Sequence, residues 1–234
     1  MKLTAITTAL FLSMVVSPVF AEVTDFSGFS ASIGSGATAS KADSFYSPNN
    51  SGITQIYLMG NTNTPKLIDV GFATIARPQF LIGLGASYDF GDNDNGSTTG
   101  IQEGTTYRND VSSHGHYSIY TQPTYVINPT TAAFVKVGYH STVLKNTDGN
   151  QVLVLAGSVP YSESSRVGGV GYGVGLKTFV HNNFYFQTEG QLVQYNTHTK
   201  SFIGANYTSL STKLTSVSGI VSVGYHFKKP APKK

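Results

Sequence analysis

Hydrophobic and polar residues alternate with a period of two along most of the chain. The clearest example lies near its end, in the sequence VSVGYHF at 221–227. Successive side chains of a strand point to opposite faces, so this period predicts a strand with one apolar face. No sustained apolar stripe of helical period follows residue 21, and the pattern therefore predicts an all-β fold.

Eight segments of this kind are predicted to be strands. They lie at about 25–36, 66–77, 80–91, 114–127, 132–145, 165–180, 183–199 and 212–227. An even number of antiparallel strands is typical of single-chain bacterial barrels. The fold class predicted is an all-β, transmembrane, antiparallel up-and-down β-barrel.

The connections between these segments are of two kinds. The short ones carry turn residues and lie at 78–79, 128–131 and 181–183, whereas the long polar ones lie at about 37–65, 92–113, 146–164 and 200–211. Short and long connections alternate strictly, as in barrels with short periplasmic turns and long outer loops. Residues 52–60 also have a strand pattern, either as a hairpin arm in the first long loop or as an extension of the second strand.

The two faces of each predicted strand differ in character. In the sixth, Val170, Tyr172 and Val174 alternate with glycines at 169, 171, 173 and 175. A membrane barrel turns the apolar face to lipid, whereas a secreted, soluble ligand-binding barrel buries it. Small residues inside suit a narrow eight-stranded barrel, so the glycines favour the membrane interpretation, with the soluble barrel as an alternative.

The two ends of the chain are predicted to lie outside the barrel. An apolar run at about 3–16 precedes Val19 and Ala21, which is the layout of a signal peptide cleaved after Ala21. Threonines and a serine interrupt the run, which is too short for a membrane helix. The domains predicted are a signal peptide at 1–21, a barrel at 22–227 and a disordered, cationic, proline-rich tail at 228–234.

Charge and cysteine content restrict the classes of function. Of the 15 basic residues, one lies in the leader and four in the tail, which leaves 10 basic against 12 acidic residues for the barrel. Such a body has no basic surface to follow a phosphate backbone, so a nucleic-acid partner is not expected. The chain has no cysteine, which excludes disulfides and thiolate chemistry.

Two stretches, GYGVGLKTFVHNNFYFQTEG and VSVGYHF, together with the leader and the eight strands, resemble a known family. They are similar to eight-stranded outer-membrane β-barrels of the OmpA-transmembrane-domain and opacity-protein type, over nearly all of 22–227. The resemblance implies surroundings of outer-membrane lipids and lipopolysaccharide, with both termini in the periplasm. It also implies that Val223, Tyr225 and Phe227 form the signal read by the barrel-insertion machinery. The tail is similar to the start of a linker that leads, in OmpA-like proteins, to a peptidoglycan-binding domain.

An ion pair is predicted inside the barrel. Lys177 and Glu189 both fall on polar faces, and a turn centred on Asn182 places Glu189 diagonally across from Lys177. Lys136 is expected in the same layer and Asp69 deeper in the lumen. Charges in a narrow lumen are costly unless opposite charges gather there.

Catalysis is not predicted. His116 and Ser118 are similar to the His-x-Ser of lipid A deacylases, but no acid follows within 20 residues and both fall on the inner face. Because of this similarity, a lipid A-modifying hydrolase that uses His116 and Ser118 is kept as the alternative function. GDNDNG at 91–96 lacks the distant glutamate of a calcium loop, and no cofactor or metal is predicted. The function expected is a non-enzymatic role in envelope integrity, in surface interaction through the loops, or in limited solute passage, with no indication of the loops' partner.

Overall fold

The computed structural model describes residues 23–48, 55–102, 105–148, 161–201 and 207–227, so the predicted signal peptide and tail lie outside the described residues. This part of the chain contains a short 3-10 helix, Val23–Phe26, and eleven strands. The strands are β1 Gly28–Pro48, β2 Gln55–Asn63, β3 Lys66–Arg77, β4 Phe80–Asp89, β5 Asn93–Gln102, β6 Thr105–Asn128, β7 Thr131–Asp148, β8 Tyr161–His181, β9 Phe184–Tyr195, β10 His198–Ser201 and β11 Tyr207–Phe227. No helix in these ranges is long and apolar enough to cross a bilayer.

Eight of the strands close into a ring. The order is β1, β3, β4, β6, β7, β8, β9 and β11, and β11 pairs with β1 to complete the circle. Every neighbouring pair is antiparallel, and the closing pair begins with Phe29 opposite Phe227. The predicted eight-stranded antiparallel barrel is confirmed.

The end of the barrel that carries the short turns is called the lower end here, and the opposite end the upper end. The turns after β3 and β8 each contain one residue with positive φ, Gln79 at 64° and Asn182 at 45°. Asparagine tolerates this left-handed conformation, and the turn it forms sets the register of β8 against β9. Lys177 accordingly lies opposite Gln187, as predicted from a turn centred on Asn182.

The remaining strands, β2, β5 and β10, lengthen the barrel wall upwards. β3 pairs with β1 as far as Ser35, and β2 pairs with the same strand from Thr38 to Tyr46. Pro65 lies in the break between β2 and β3, because proline cannot donate a hydrogen bond to a sheet. Residues 55–63 are therefore an upward extension of the second barrel strand, which forms a hairpin with β1.

The predicted extents of the long loops are wrong, because much of 37–65 and 92–113 is strand. β1 continues to Pro48, and β6 begins at Thr105. In these upper parts the outer face carries charged residues such as Lys41 and Asp43, and the inner face carries polar residues such as Ser40 and Ser44. The alternation of apolar and polar residues is then lost, although the backbone pairing continues.

An apolar belt surrounds the lower part of the barrel. Its members are exposed and face outwards, and one from each strand, in ring order, is Ile33, Val70, Leu84, Ile119, Val137, Val174, Phe186 and Val221. The interior faces of the same strands are glycine-rich or polar. A soluble protein rarely exposes so continuous an apolar surface, which excludes the soluble barrel with a buried apolar face.

One glycine changes which face the side chains of β6 occupy. Gly115 has a φ of 60°, and the register of β6 against β7 shifts between His114 and Tyr117. His114 is exposed on the outer surface, whereas His116 points into the lumen. A β-bulge of this kind re-aims the side chains that follow it.

Candidate functional site

The lumen is closed at its lower end by an apolar cluster, called here the lower plug. Phe26, at the end of the short helix, packs against Phe179 with a ring-centroid distance of 4.9 Å. The other members of the lower plug are buried and come from β4, β6 and β7: Leu81, Val126 and Ala132. The segment before β1 thus folds back under the barrel and fills its opening.

Above the lower plug, four ionisable side chains and a tyrosine form the charge cluster: Asp69, Tyr120, Lys136, Lys177 and Glu189. The ammonium of Lys136 lies 2.8 Å from Glu189 Oε2 and 3.2 Å from Asp69 Oδ2. Its side chain is 8% exposed and that of Glu189 is 4% exposed. The cluster spans the lumen from β3 to β9, and its two carboxylates balance its two ammonium groups.

Lys136, and not Lys177, is the partner of Glu189. The structure brings Asp69, Lys136 and Glu189 into one layer, whereas the sequence pattern predicts that Asp69 lies deeper in the lumen. The predicted diagonal register of Lys177 and Glu189 is present, since Gly175 lies opposite Glu189. However, no contact within 4.0 Å joins their charged groups, and the Lys177 ammonium lies 4.4 Å from the ring centroid of Tyr185.

Lys177 does not contact Glu189 because other groups already surround the Glu189 carboxylate. Lys136 contacts one oxygen, and the side-chain amides of Gln187 and Gln191 donate to the carboxylate at 3.4 and 3.3 Å. The face of a tyrosine ring offers Lys177 a favourable alternative for its positive charge. The predicted ion pair is therefore corrected to a pair between Lys136 and Glu189.

Tyr120 was missed by the sequence reasoning. Its hydroxyl donates to the Asp69 carboxylate, 2.7 and 2.8 Å from the two oxygens, and its ring lies 4.3 Å from the Lys136 ammonium. The signal that could have found it is its spacing: Tyr120 lies two and four residues after Ser118 and His116, on the same inner face. Its hydroxyl and ring hold the anion and the cation of one pair together.

His116 and Ser118 are not hydrogen-bonded to each other, although Asp89 lies opposite His116 in the register of β4 and β6. Ser118 is 1% exposed, and its Oγ lies 2.7 Å from Ser87 Oγ. His116 Nε2 lies 3.0 Å from His140 Nδ1, so each residue has a partner other than the one that catalysis needs. A serine inside the lumen cannot reach the acyl chain of a lipid outside the wall. Among the described residues no group of three or more histidines, cysteines and acids could hold a metal ion.

A second apolar cluster, the upper plug, closes the lumen above these polar layers. Its buried members point into the lumen from strands on opposite sides of the barrel: Ala42, Met59, Val111, Leu144, Val167, Val193, Tyr195 and Leu214. The spaces between the layers are small, with a polar cavity of about 30 Å³ beside Asp89 and His116 and two of about 20 Å³ around the charge cluster. Such volumes hold one or two water molecules, and not a solute.

The residues predicted to signal assembly lie at the lower end of β11. Val223, Tyr225 and Phe227 are exposed and face outwards. The ring of Tyr225 packs against Phe227 at 4.9 Å and against Phe184 at 5.2 Å. The closing strand therefore ends in an aromatic group on the outer surface, where another protein can contact it.

A closed antiparallel ring, an outward apolar belt and a polar lumen define the class of transmembrane β-barrels. No family model and no curated protein matches the chain. Solved structures that it resembles include Ail, the attachment invasion locus protein of Yersinia pestis, at 16% identity, with a TM-score of 0.41 and coverage of 85% of this chain and 99% of that one. Two others are the outer membrane protease OmpT of Escherichia coli (10% identity, TM-score 0.48, coverage 86% and 97%) and the outer membrane protein OprG of Pseudomonas aeruginosa (11%, 0.46, 86% and 97%). All three TM-scores are below 0.5, so these similarities carry no argument here. The class of transmembrane β-barrels follows from the strand pairing and the apolar belt of this chain itself.

Proposed function

We propose that this protein is an integral outer-membrane β-barrel without catalytic activity, whose lumen passes no solutes and whose upper strands provide a surface for interaction. The observation that carries the proposal is the closure of the lumen. Two apolar plugs and the charge cluster between them fill a barrel whose outer wall is an apolar belt. A channel needs a continuous polar path, and the two clusters of buried apolar side chains across the lumen support a closed barrel.

The belt supports residence in a membrane and also an orientation. The short turns and the two ends of the ring, Gly28 and Phe227, lie at the lower end. Barrels of the outer membrane have short turns on the periplasmic side. We therefore place the lower end and both termini in the periplasm and the upper end outside the cell.

The upper strands support a role at the cell surface. β6 has 24 residues, whereas a tilted strand needs roughly 9–11 to cross the hydrocarbon core. Side chains also join strands that do not pair: Asn61 Nδ2 lies 3.0 Å from Asp94 Oδ2, and Lys200 Nζ lies 3.1 Å from Glu163 Oε1. A long wall with such cross-links offers a firm platform for a partner, in place of the long loops expected from the sequence.

Two measurements test the proposal. The protein should remain with outer membranes after a carbonate wash and should migrate differently on gels before and after boiling, whereas recovery in the soluble periplasm would contradict it. Vesicles that contain the purified protein should not swell in isotonic sugar, with porin-containing vesicles as the positive control. Swelling at the porin rate would show that the lumen is open.

A further inference from the structure

Three donor side chains gather on the outer surface of β6, β7 and β8, immediately above the belt. His114 on β6 lies opposite Val143 on β7, which in turn lies opposite Arg166 on β8. His114 and Arg166 therefore share one row and one face. Lys145 is the next outward residue above Val143 on β7. His114, Lys145 and Arg166 are exposed, and Lys145 is a diagonal neighbour of Arg166 at roughly 7–8 Å between Cα atoms.

Within the described part of the chain, Lys145 and Arg166 are not in ion pairs, whereas other cations at the upper end are. Asp110 lies diagonal to Lys145 in the register of β6 and β7, but it contacts Arg108 instead. Lys41 lies 3.0 Å from Asp43, and Arg108 lies 3.0 Å from Asp110. Among the described residues, by contrast, neither Lys145 nor Arg166 has a carboxylate within 4.0 Å. Like charges on neighbouring strands destabilise a sheet, so this arrangement favours a bound anion.

The height of the cluster matches the headgroup level of a bilayer. Below it, Tyr139 lies opposite Val170, and both are exposed members of the belt. The Arg166 guanidinium lies 5.6 Å from the ring centroid of Tyr117, which pairs with Ser141 just above that row. The guanidinium thus reaches down to the aromatic edge of the belt, where lipid headgroups and acyl chains meet.

We infer that His114, Lys145 and Arg166 bind the phosphate of an anionic lipid in the outer leaflet. The inference rests on the membrane residence and orientation proposed above. An arginine fork matches two phosphate oxygens, a lysine adds a point charge, and an imidazole presents an N–H donor in either protonation state. A lipid fits better than a free phosphate, because Tyr139 and Val170 lie where the acyl chains of the same molecule would run.

The test uses the full mature chain, folded in zwitterionic detergent micelles. The midpoint of thermal unfolding, read from the heat-dependent gel shift, is measured against increasing lipid A, dephosphorylated lipid A and inorganic pyrophosphate. Of the three compounds, only lipid A should raise the midpoint of thermal unfolding. Arg166→Gln and Lys145→Gln should each weaken the apparent affinity about tenfold, the loss typical of one charge-assisted hydrogen bond, and the effect should decrease with added salt.

Lys66→Gln is the matched control, because Lys66 is an exposed cation at the upper edge of the belt on β3, opposite Ser35 and away from the cluster. It should leave the lipid A effect unchanged. An equal loss in Lys66→Gln, or an equal shift with dephosphorylated lipid A, would overturn the site. An equal shift with pyrophosphate would overturn the lipid as its ligand. Protein that stays in carbonate-washed membranes but shows no phosphate-dependent shift would contradict this inference alone, whereas soluble protein would contradict the proposed function.

Discussion

Replacing Lys136 by methionine removes the central cation of the charge cluster and keeps most of the side-chain length. At an effective dielectric constant of about 20, its contacts of 2.8 Å with Glu189 and 3.2 Å with Asp69 correspond to about 6 and about 5 kcal/mol of Coulomb energy. Desolvation of the ions offsets part of this attraction. Breaking a buried pair on one side costs about 3–5 kcal/mol, and we expect a loss of that size for Lys136→Met.

The assay is urea unfolding in lipid vesicles, followed by far-UV circular dichroism because the chain has no tryptophan. A double-mutant cycle combines Lys136→Met with Glu189→Gln and measures their coupling. Both side chains are nearly buried and in direct contact, so we expect a coupling free energy of about 2–3 kcal/mol, at the upper end for neighbouring residues.

The matched cycle replaces Lys177 by methionine with the same Glu189→Gln. Lys177→Met alone should cost only about 0.5–2 kcal/mol, for the lost contact with the Tyr185 ring. Its coupling to Glu189 should be clearly smaller than that of Lys136, because no contact within 4.0 Å joins the two charged groups. A Lys136 coupling indistinguishable from zero, or a larger one for Lys177, would refute the assignment of partners in the lumen.

Three further predictions concern the barrel wall and its end. Phe227→Asp should impair assembly in cells while costing only about 0–1 kcal/mol of unfolding free energy. Deletion of 228–234 should leave assembly intact, as measured by gel shifts of outer membranes. The reverse pattern would show that the barrel does not end at Phe227. Gly224→Ala should cost about 1–3 kcal/mol in urea because its Cβ would collide with an interior tyrosine ring, whereas Gly219→Ala, which faces open space, should stay within about 0.5 kcal/mol; equal losses would contradict the assignment of faces. Ser118→Ala should leave the acylation of lipid A unchanged in mass spectra, and a changed acyl pattern would restore the hydrolase hypothesis.

The lower half of the barrel could be predicted from the sequence. Val170, Tyr172 and Val174 face lipid, so their alternation with glycine follows directly from the two environments of the strand. The turn at Asn182 is equally local, because the left-handed conformation that asparagine tolerates sets the register of the two strands beside it. Each of these features depends on residues close together in the chain.

The upper half of the wall could not be predicted in the same way. Above the belt both faces of a strand can be polar, as in β5 from Asn93 to Gln102, so the strand has the composition of a loop. Its strand conformation comes from pairing with β6, and the sequence of β5 alone carries no sign of that pairing. The upper plug was missed because its members are scattered over seven strands that only the tertiary structure brings together.

The sequence by itself determined that Asp69, Lys136, Lys177 and Glu189 lie on inner faces, because a period of two sorts residues between lumen and lipid. Only the tertiary structure decided which of them meet. Lys136 and Asp69 are 67 residues apart and contact each other across the lumen, not along a shared hairpin. The register of neighbouring strands constrains pairs such as Lys177 and Glu189. Distances across the lumen are set by closure of the ring, and these distances bring Lys136, not Lys177, into contact with Glu189.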